Sequence, residues 1–330
     1  MNILVTGCFG FIGNNYLLYL NKHFPNEFNI YGVDSLLTNT SEINYENFKD
    51  TKNFNFYKED INDTESFSNI KIDTIVNFAA ESHVDNSITN PNKFIKTNVL
   101  GTNQLLQLAY KNNISNFVHI STDEVYGSKK TDYSNEDDIL NPSSPYSATK
   151  ASAEMLCNAF KKTYGMNIKI CRPANNYGVY QQPEKLIPYT ISNLLNGGNI
   201  ELYGDGKNVR HWLHVEDTCS AVMKVLNAEE NSGIYNIGSG EYFNNLEVAI
   251  KILKAMEFDD SRITFVEDRP GHDFRYAVNF EPLKNLGFIP SKTFDEEISH
   301  IVNWYKNNEN WWKKDYLNVL NNRLERTKLN

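Results

Sequence analysis

The chain has 330 residues, and its 40% hydrophobic and 22% charged side chains are the balance of a globular protein with one large or two modest domains and a real core. Its net charge of -9, from 32 basic and 41 acidic side chains, argues against general affinity for nucleic acid or an anionic membrane, so a negatively charged ligand must find a local basic site. No apolar run approaches the ~20 residues that span a bilayer, and the opening MNILVTG reads as a strand with no signal-type segment, so the protein is expected to be cytoplasmic.

NILVT at 2–6 is the first predicted strand, and VTGCFGFIG leads from it into a helix over 11–24. Gly7, Gly10 and Gly13 occupy that turn at GxxGxxG spacing, with Phe11 and Ile12 between them. Such a backbone turns tightly, approaches a pyrophosphate and packs its helix on the sheet, while the helix start offers free N–H groups. The second strand, 28–34, ends in Asp34, where an acid accepts hydrogen bonds from a ribose diol and repels a 2′-phosphate, favouring NAD over NADP. The competing reading is an Asp that caps the next turn. The third strand, 54–60, delivers Asp60, followed by Ile61, a weaker candidate for the adenine edge.

Strands over 72–80, 116–122 and 167–173 alternate with helices over 92–113 and 146–165. The pattern is α/β, a doubly wound parallel Rossmann sheet. The strand NFVHIST runs straight into Asp123 and Glu124, although burying charge is expensive. Adjacent Asp and Glu differ in length and surroundings, so their pKa values can be driven apart into an acid and a base. The sequence leaves open which is which, and a polar strand end entering a loop is the alternative.

In NPSSPYSATK, Ser144 is the expected N-cap, Pro145 the first helical residue, and Tyr146 and Lys150, four apart, share a helix face. A free phenol titrates near ~10; an adjacent ammonium and a bound nicotinamide cation would favour the phenolate and make Tyr146 a base for an alcohol proton.

After about Arg172 the chain turns to loops rich in Asn, Gly, Tyr and Pro, the composition of a smaller C-terminal α/β substrate-binding lobe. The expected division is 1–173 for dinucleotide binding, with later segments returning to it, and 174–330 mainly for the nucleotide sugar. PEKLIP begins a helix whose first residues, with Asn176, would face a diphosphate and sugar. Arg210, Arg269 and Arg275 offer guanidinium groups for phosphate, and His272 lies in the RPGHD loop. His211 and His214 have no third ligand nearby, so no metal is expected. Cys8, Cys157, Cys171 and Cys219 show no CxxC pairing and read as reduced structural thiols. Trp311 and Trp312 are expected to pack on the body or on a partner subunit.

TGCFGFIG, the set Thr122, Tyr146 and Lys150, and NNYG together resemble the extended short-chain dehydrogenase/reductase (NAD-dependent epimerase/dehydratase) family, whose members act on nucleotide sugars. AAESHVDNSI, STDEVYG, YSATKASAE, NNYGVYQQPEKLIP, YGDGKNVRHWLHVED and RPGHDFRYAV resemble its 4,6-dehydratases in particular, and the likeness extends to WYKNNENWW. The resemblance implies a dTDP-glucose substrate and a tightly bound NAD regenerated each turn. It assigns Asp123 as the acid toward O6, Glu124 as the base at C5, and Thr122 as the partner of the C4 oxygen beside Tyr146. It adds Ala79 and Ala80 to the cofactor contacts and Ser82, Asn175, Glu184, Lys185, Leu186 and Tyr203 to those of the substrate. A homodimer through the helices at about 92–113 and 144–164 is likewise implied. Three positions depart from the family pattern: Val179 for proline, His211 for aspartate and Asn86 for arginine. These departures keep a UDP-hexose or UDP-N-acetylhexosamine open as substrate. A catalytically silent NAD-binding regulatory or structural protein is the reading from another class.

Overall fold

The strands of the first half are β1 (Asn2–Thr6), β2 (Asn29–Asp34), β3 (Phe54–Lys58), β4 (Thr74–Asn77), β5 (Asn116–Ile120) and β6 (Ile168–Pro173). Later come β7 (Asn175–Tyr177), β8 (Ile200–Tyr203), β9 (Val209–His214), β10 (Gly233–Ile237), β11 (Glu241–Asn244) and β12 (Ile263–Val266). This is a computed structural model, and it describes residues 1–229, 232–268 and 271–329.

Seven strands form one parallel sheet in the order β10-β6-β5-β4-β1-β2-β3. The strand order reverses at β1, which pairs with β2 on one side and β4 on the other. Ligands of such sheets bind outside the carboxyl ends of the strands at this reversal. The central strands β1, β4, β5 and β6 are almost wholly buried because both faces of the sheet are covered. Ile3, Val5, Val76 and Val118 face a core shared with Tyr16, Leu17 and Val222, whereas Leu4, Ile75, Phe117 and Ile170 face one shared with Leu105, Leu106 and Cys157.

The covering helices follow in chain order: α1 (Phe11–His23), α2 (Asn39–Phe48), α3 (Val84–Thr89), α4 (Pro91–Phe94), α5 (Thr102–Lys111) and α6 (Pro145–Tyr164). α6 starts as read from the sequence, with a Ser144/Ser147 capping box and Pro145 in the first turn, and ends at Gly165 in the left-handed region. The helix expected over 92–113 is instead three pieces, α4, a π-helical segment Ile95–Gly101, and α5. The wider turn directs Asn98 inward, where its Oδ1 accepts from the Glu81 N–H at 2.9 Å and its Nδ2 donates to the Glu81 carbonyl at 3.1 Å and Thr149 Oγ1 at 2.9 Å. Side-chain partners remote in sequence thus override an unbroken apolar period.

The rest of the chain adds α7 (Leu186–Leu195), α8 (Val215–Leu226), α9 (Asn245–Met256), α10 (Glu281–Asn285), α11 (Phe294–Asn307) and α12 (Glu309–Leu329). A three-stranded sheet, β11-β9-β7, and a two-stranded sheet, β12-β8, enclose a second core with α7, α9 and α11. β10 nevertheless pairs with β6, and α8 supplies Val222 to the first core. α12 reaches back as well: Trp311 Nε1 donates to Asn44 of α2 at 2.8 Å, and both Trp311 and Trp312 are buried within this chain. All four cysteines are buried and free. Among the described residues, no cluster of side chains could hold a metal, and no helix is long and apolar enough to cross a membrane.

Candidate active site

A cleft of about 600 Å³ opens at the carboxyl ends of β1, β2, β4 and β5. Gly7, Gly10, Phe11, Ile12 and Gly13 form its floor, with Asp34, Asp60, Ile61, Ala79 and Ala80 around them. Two glycines have no substitute. Gly7 holds φ +62°, and a Cβ there would stand 2.7 Å from the Ala79 backbone; a Cβ on Gly13 would fall onto the Gly7 carbonyl oxygen. The first turn of α1 therefore lies close on β1 and β4, with its N–H groups aimed into the cleft.

Asp34 is held by the backbone: its Oδ2 accepts from Phe9 N and its Oδ1 from Leu36 N, each at 2.9 Å. Burial pushes its carboxyl above the usual range, against the pull of those N–H groups. Asp60 is turned toward its own loop, accepting from Asn62 N at 2.9 Å, with Lys96 Nζ at 3.8 Å.

Thr122, Asp123 and Glu124 leave β5 in a short 3-10 turn, Asp123–Tyr126, that Thr122 caps by accepting from Glu124 N at 3.3 Å. Tyr146 and Lys150 reach the same cleft from the first turns of α6. Asp123 is buried, and its carboxyl is pushed well above the carboxylate range by burial and by Glu124, with Arg210 acting in the opposite sense. Asp123 is thus held toward its protonated form, as an acid should be. Lys150 donates to the Ile120 carbonyl at 2.6 Å, and burial pulls its ammonium down to about 8. The Tyr146 phenol is raised above its ordinary range in the protein alone. Burial, Glu124 and Asp123 raise it, and Thr122 lowers it. A positive charge brought by a ligand would favour the phenolate there.

The residues fit such a ligand. Besides the glycine cradle, Ser121 Oγ, Asp123 Oδ2 and Asn175 Oδ1 are buried against the cleft with no hydrogen-bond partner among the described residues. Leaving them so would be costly, at about 1–3 kcal/mol each.

Ser82, Asn175, Asn176, Glu184 and Lys185 line the far half of the cleft, where Lys185 Nζ donates to the Ser82 carbonyl at 2.6 Å and His83 Nε2 lies 3.2 Å from the Glu184 carbonyl. Leu186, Tyr203, Arg210, His272 and Arg275 are not on its wall. Arg210 lies behind Asp123, stacked 4.6 Å from the Tyr276 ring centroid and donating to the Asp273 carbonyl at 3.0 Å. Tyr203 donates to Asp85 at 3.3 Å at the cleft edge, and His272 Nδ1 pairs with Asp268 at 2.6 Å. The Arg275 guanidinium donates to the Asp132 carbonyl at 2.6 Å, away from the cleft. Arg269 lies outside the described residues.

Of the three departures, only Asn86 borders the cleft. His211 is buried at the turn after β10, where Nε2 accepts from Ser239 N at 2.9 Å and Gly240 N at 2.8 Å. A neutral imidazole there does what a carboxylate would do, and burial holds it neutral, with its pKa lowered to about 3. Val179 sits beside the second core and accepts from Asn15 through its carbonyl at 3.1 Å.

Two groups of residues packed around the cleft escaped the sequence reading. Tyr276 stacks on Arg210 and is influenced by Glu124; its motif, RPGHDFRYAV, drew attention only to its cations. Arg172 and Glu154, both buried, form a two-pronged ion pair, Nε to Oε1 at 3.0 Å and Nη2 to Oε2 at 2.6 Å, and Arg172 also donates to the Tyr126 hydroxyl at 2.5 Å. That network fastens the Asp123–Tyr126 turn to α6.

The family model for GDP-mannose 4,6-dehydratase matches residues 4–301. The chain belongs to that family. Over 307 residues it is 43% identical to the low-salt glycan biosynthesis protein Agl12 of Haloferax volcanii, covering 92% of this chain and 98% of that one. It is 39% identical over 319 residues to the dTDP-glucose 4,6-dehydratase of Streptomyces niveus, covering 95% of each. The crystal structure of DesIV, the dTDP-glucose 4,6-dehydratase of Streptomyces venezuelae with NAD and TYD bound, superposes with a TM-score of 0.91 at 39% identity, covering 96% of this chain and all of that one. The seven-stranded sheet and its flanking helices are therefore the family's own architecture.

Proposed function

We propose that this protein is an NAD-dependent nucleotide-hexose 4,6-dehydratase, a hydro-lyase that converts dTDP-glucose into dTDP-4-keto-6-deoxyglucose. The observation that carries the reading is Asp123: a carboxyl held toward its protonated form, next to Glu124 and in one cleft with Thr122, Tyr146 and Lys150. An epimerase or simple dehydrogenase of this fold needs only the last three. A second acid and base are needed to remove water.

Tyr146 takes the proton from the C4 hydroxyl, with Thr122 fixing that oxygen beside it. Glu124 takes the proton from C5, made acidic by the C4 ketone, while Asp123 protonates the departing O6, and a proton returns to C5 as the hydride reaches C6. NAD, when bound in the glycine cradle, would supply the hydride acceptor at C4, the hydride donor at C6 and a positive charge near the Tyr146 phenol. Lys150 holds the cofactor ribose, Asp34 its adenosine diol, and Asp60, Ile61, Ala79 and Ala80 enclose the rest. Residues 174–330 form mainly the sugar-nucleotide lobe, with Asn175, Asn176, Glu184 and Lys185 on the substrate and Arg210 holding the Asp123 side of the site. The protein works as a cytoplasmic homodimer, a setting that suits its four free thiols.

The dTDP-glucose 4,6-dehydratase of Streptomyces niveus supports the choice of substrate, and Asn86 is the one of the three departures at the cleft. Incubation with a panel of dTDP- and UDP-hexoses, with mass analysis of products, tests the reading. Loss of water from dTDP-glucose ahead of the UDP sugars is expected; dehydration of a UDP-hexose alone would move the substrate assignment, and dehydration of none would overturn the reaction.

A further inference from the structure

The cofactor cleft does not end at Asp34. It continues past Ser35 and Leu37 to the start of α2, where Thr38 and Ser41 line it together with Asp315, Asn318 and Val319 of α12. A helix start beside the second strand is where the N–H groups and the positive end of the helix dipole would receive an extra phosphate on the adenosine ribose. Here they are already taken. Asp315 accepts from Thr40 N at 2.8 Å through one carboxylate oxygen and from Asn39 N at 3.2 Å through the other. The pairing is built in, because Trp311, one turn earlier on α12, donates to Asn44 on α2 at 2.8 Å and is itself buried.

We infer that Asp315 is a specificity-determining residue that excludes a 2′-phosphate from the adenosine end of the cleft, acting with Asp34 to select NAD over NADP. The inference rests on the reading of the cleft as a dinucleotide site. Asp34 rejects the 2′-phosphate at the ribose itself. Asp315 works on the neighbouring helix, both by repelling the phosphate dianion and by occupying the N–H groups that would otherwise bind it. Selectivity is thus divided between the second strand and a helix near the chain's far end, beyond the residues that the family model matches.

The test equilibrates the full-length protein, and its Asp315→Asn and Asp315→Ala variants, with equimolar NAD and NADP and measures each bound dinucleotide by chromatography. Wild type should hold NAD almost exclusively. In both variants the share of NADP relative to NAD should rise roughly fivefold over wild type at low salt, and the difference should shrink as added salt screens the Asp315 charge. Melting curves accompany the measurement: Asp315→Asn keeps the size and one acceptor of the native side chain, so it reports on charge even where Asp315→Ala unfolds. An unchanged NADP:NAD ratio in both variants, or equal loss of both dinucleotides, would overturn the inference and leave Asp315 a helix cap only. Wild type that retains neither dinucleotide would instead overturn the reading of the cleft.

Discussion

At the residue scale, the proposed function gives the adjacent carboxylates opposite tasks, and the surroundings of Asp123 suit the acid's. A carboxyl whose folded pKa is raised contributes stability below its unfolded pKa of about 4 and forfeits it as pH rises through the folded value. At neutral pH Asp123 therefore strains the fold, because burial and Glu124 oppose its charge. Asp123→Asn should raise the melting temperature by about 2 °C or more at pH 7 while leaving it unchanged near pH 4, and it should lower kcat by ~10²–10⁴-fold through loss of the acid. A lower melting temperature at pH 7 would show that Asp123 is a structural anchor. Glu124→Gln separates the steps: C4 oxidation continues, reduced-cofactor absorbance accumulates, and no deuterium from heavy water enters C5. Tyr146→Phe should accumulate no reduced cofactor, since it removes the base for the first step. Equal accumulation in both variants would invalidate the assigned roles.

At the element scale, the catalytic turn Asp123–Tyr126 and helix α6 must keep their register, and the Arg172–Glu154 pair with Tyr126 fastens one to the other. Removing one member of a buried pair leaves an uncompensated charge. Glu154→Gln should destabilise the protein by about 3 kcal/mol or more, whereas the double change Arg172→Met with Glu154→Leu should recover much of that loss. If the double variant regains stability but not kcat, the pair positions the site; if both return, its role is structural. The same comparison shows what could be read from sequence. The glycine loop and the Ser144–Pro145 start of α6 were legible because both obey local rules, a required φ and an N-cap within three residues. The break at Ile95–Gly101 was not, because apolar spacing runs through 92–113 unbroken and the cause lies with Glu81 and Thr149. Asp315 was equally hidden: nothing in ENWWKKDYL says that its carboxylate caps α2.

At the scale of the whole molecule, the long helices leave large apolar side chains uncovered. Leu100 and Met155 are each 52% exposed, and Tyr110 and Tyr164, whose ring centroids lie 4.5 Å apart, are about half exposed on α5 and α6. Large apolar side chains exposed on neighbouring helices are what an interface between copies would cover. A second copy of the chain would cover it symmetrically, helix pair on helix pair, as a two-fold dimer does. α6 also carries Tyr146 and Lys150 at its other end. Covering its outer face would therefore stiffen the helix that aims the base, coupling assembly to turnover. Leu100→Glu with Met155→Glu should shift the protein from dimer to monomer in sedimentation at micromolar concentration, with unchanged far-ultraviolet dichroism. The activity of the variant should fall and should recover in part as protein concentration is raised, because mass action restores the pair. A wild type that sediments as a monomer at these concentrations would refute the interface. A monomeric variant with undiminished kcat would refute the coupling, leaving the interface to serve solubility alone.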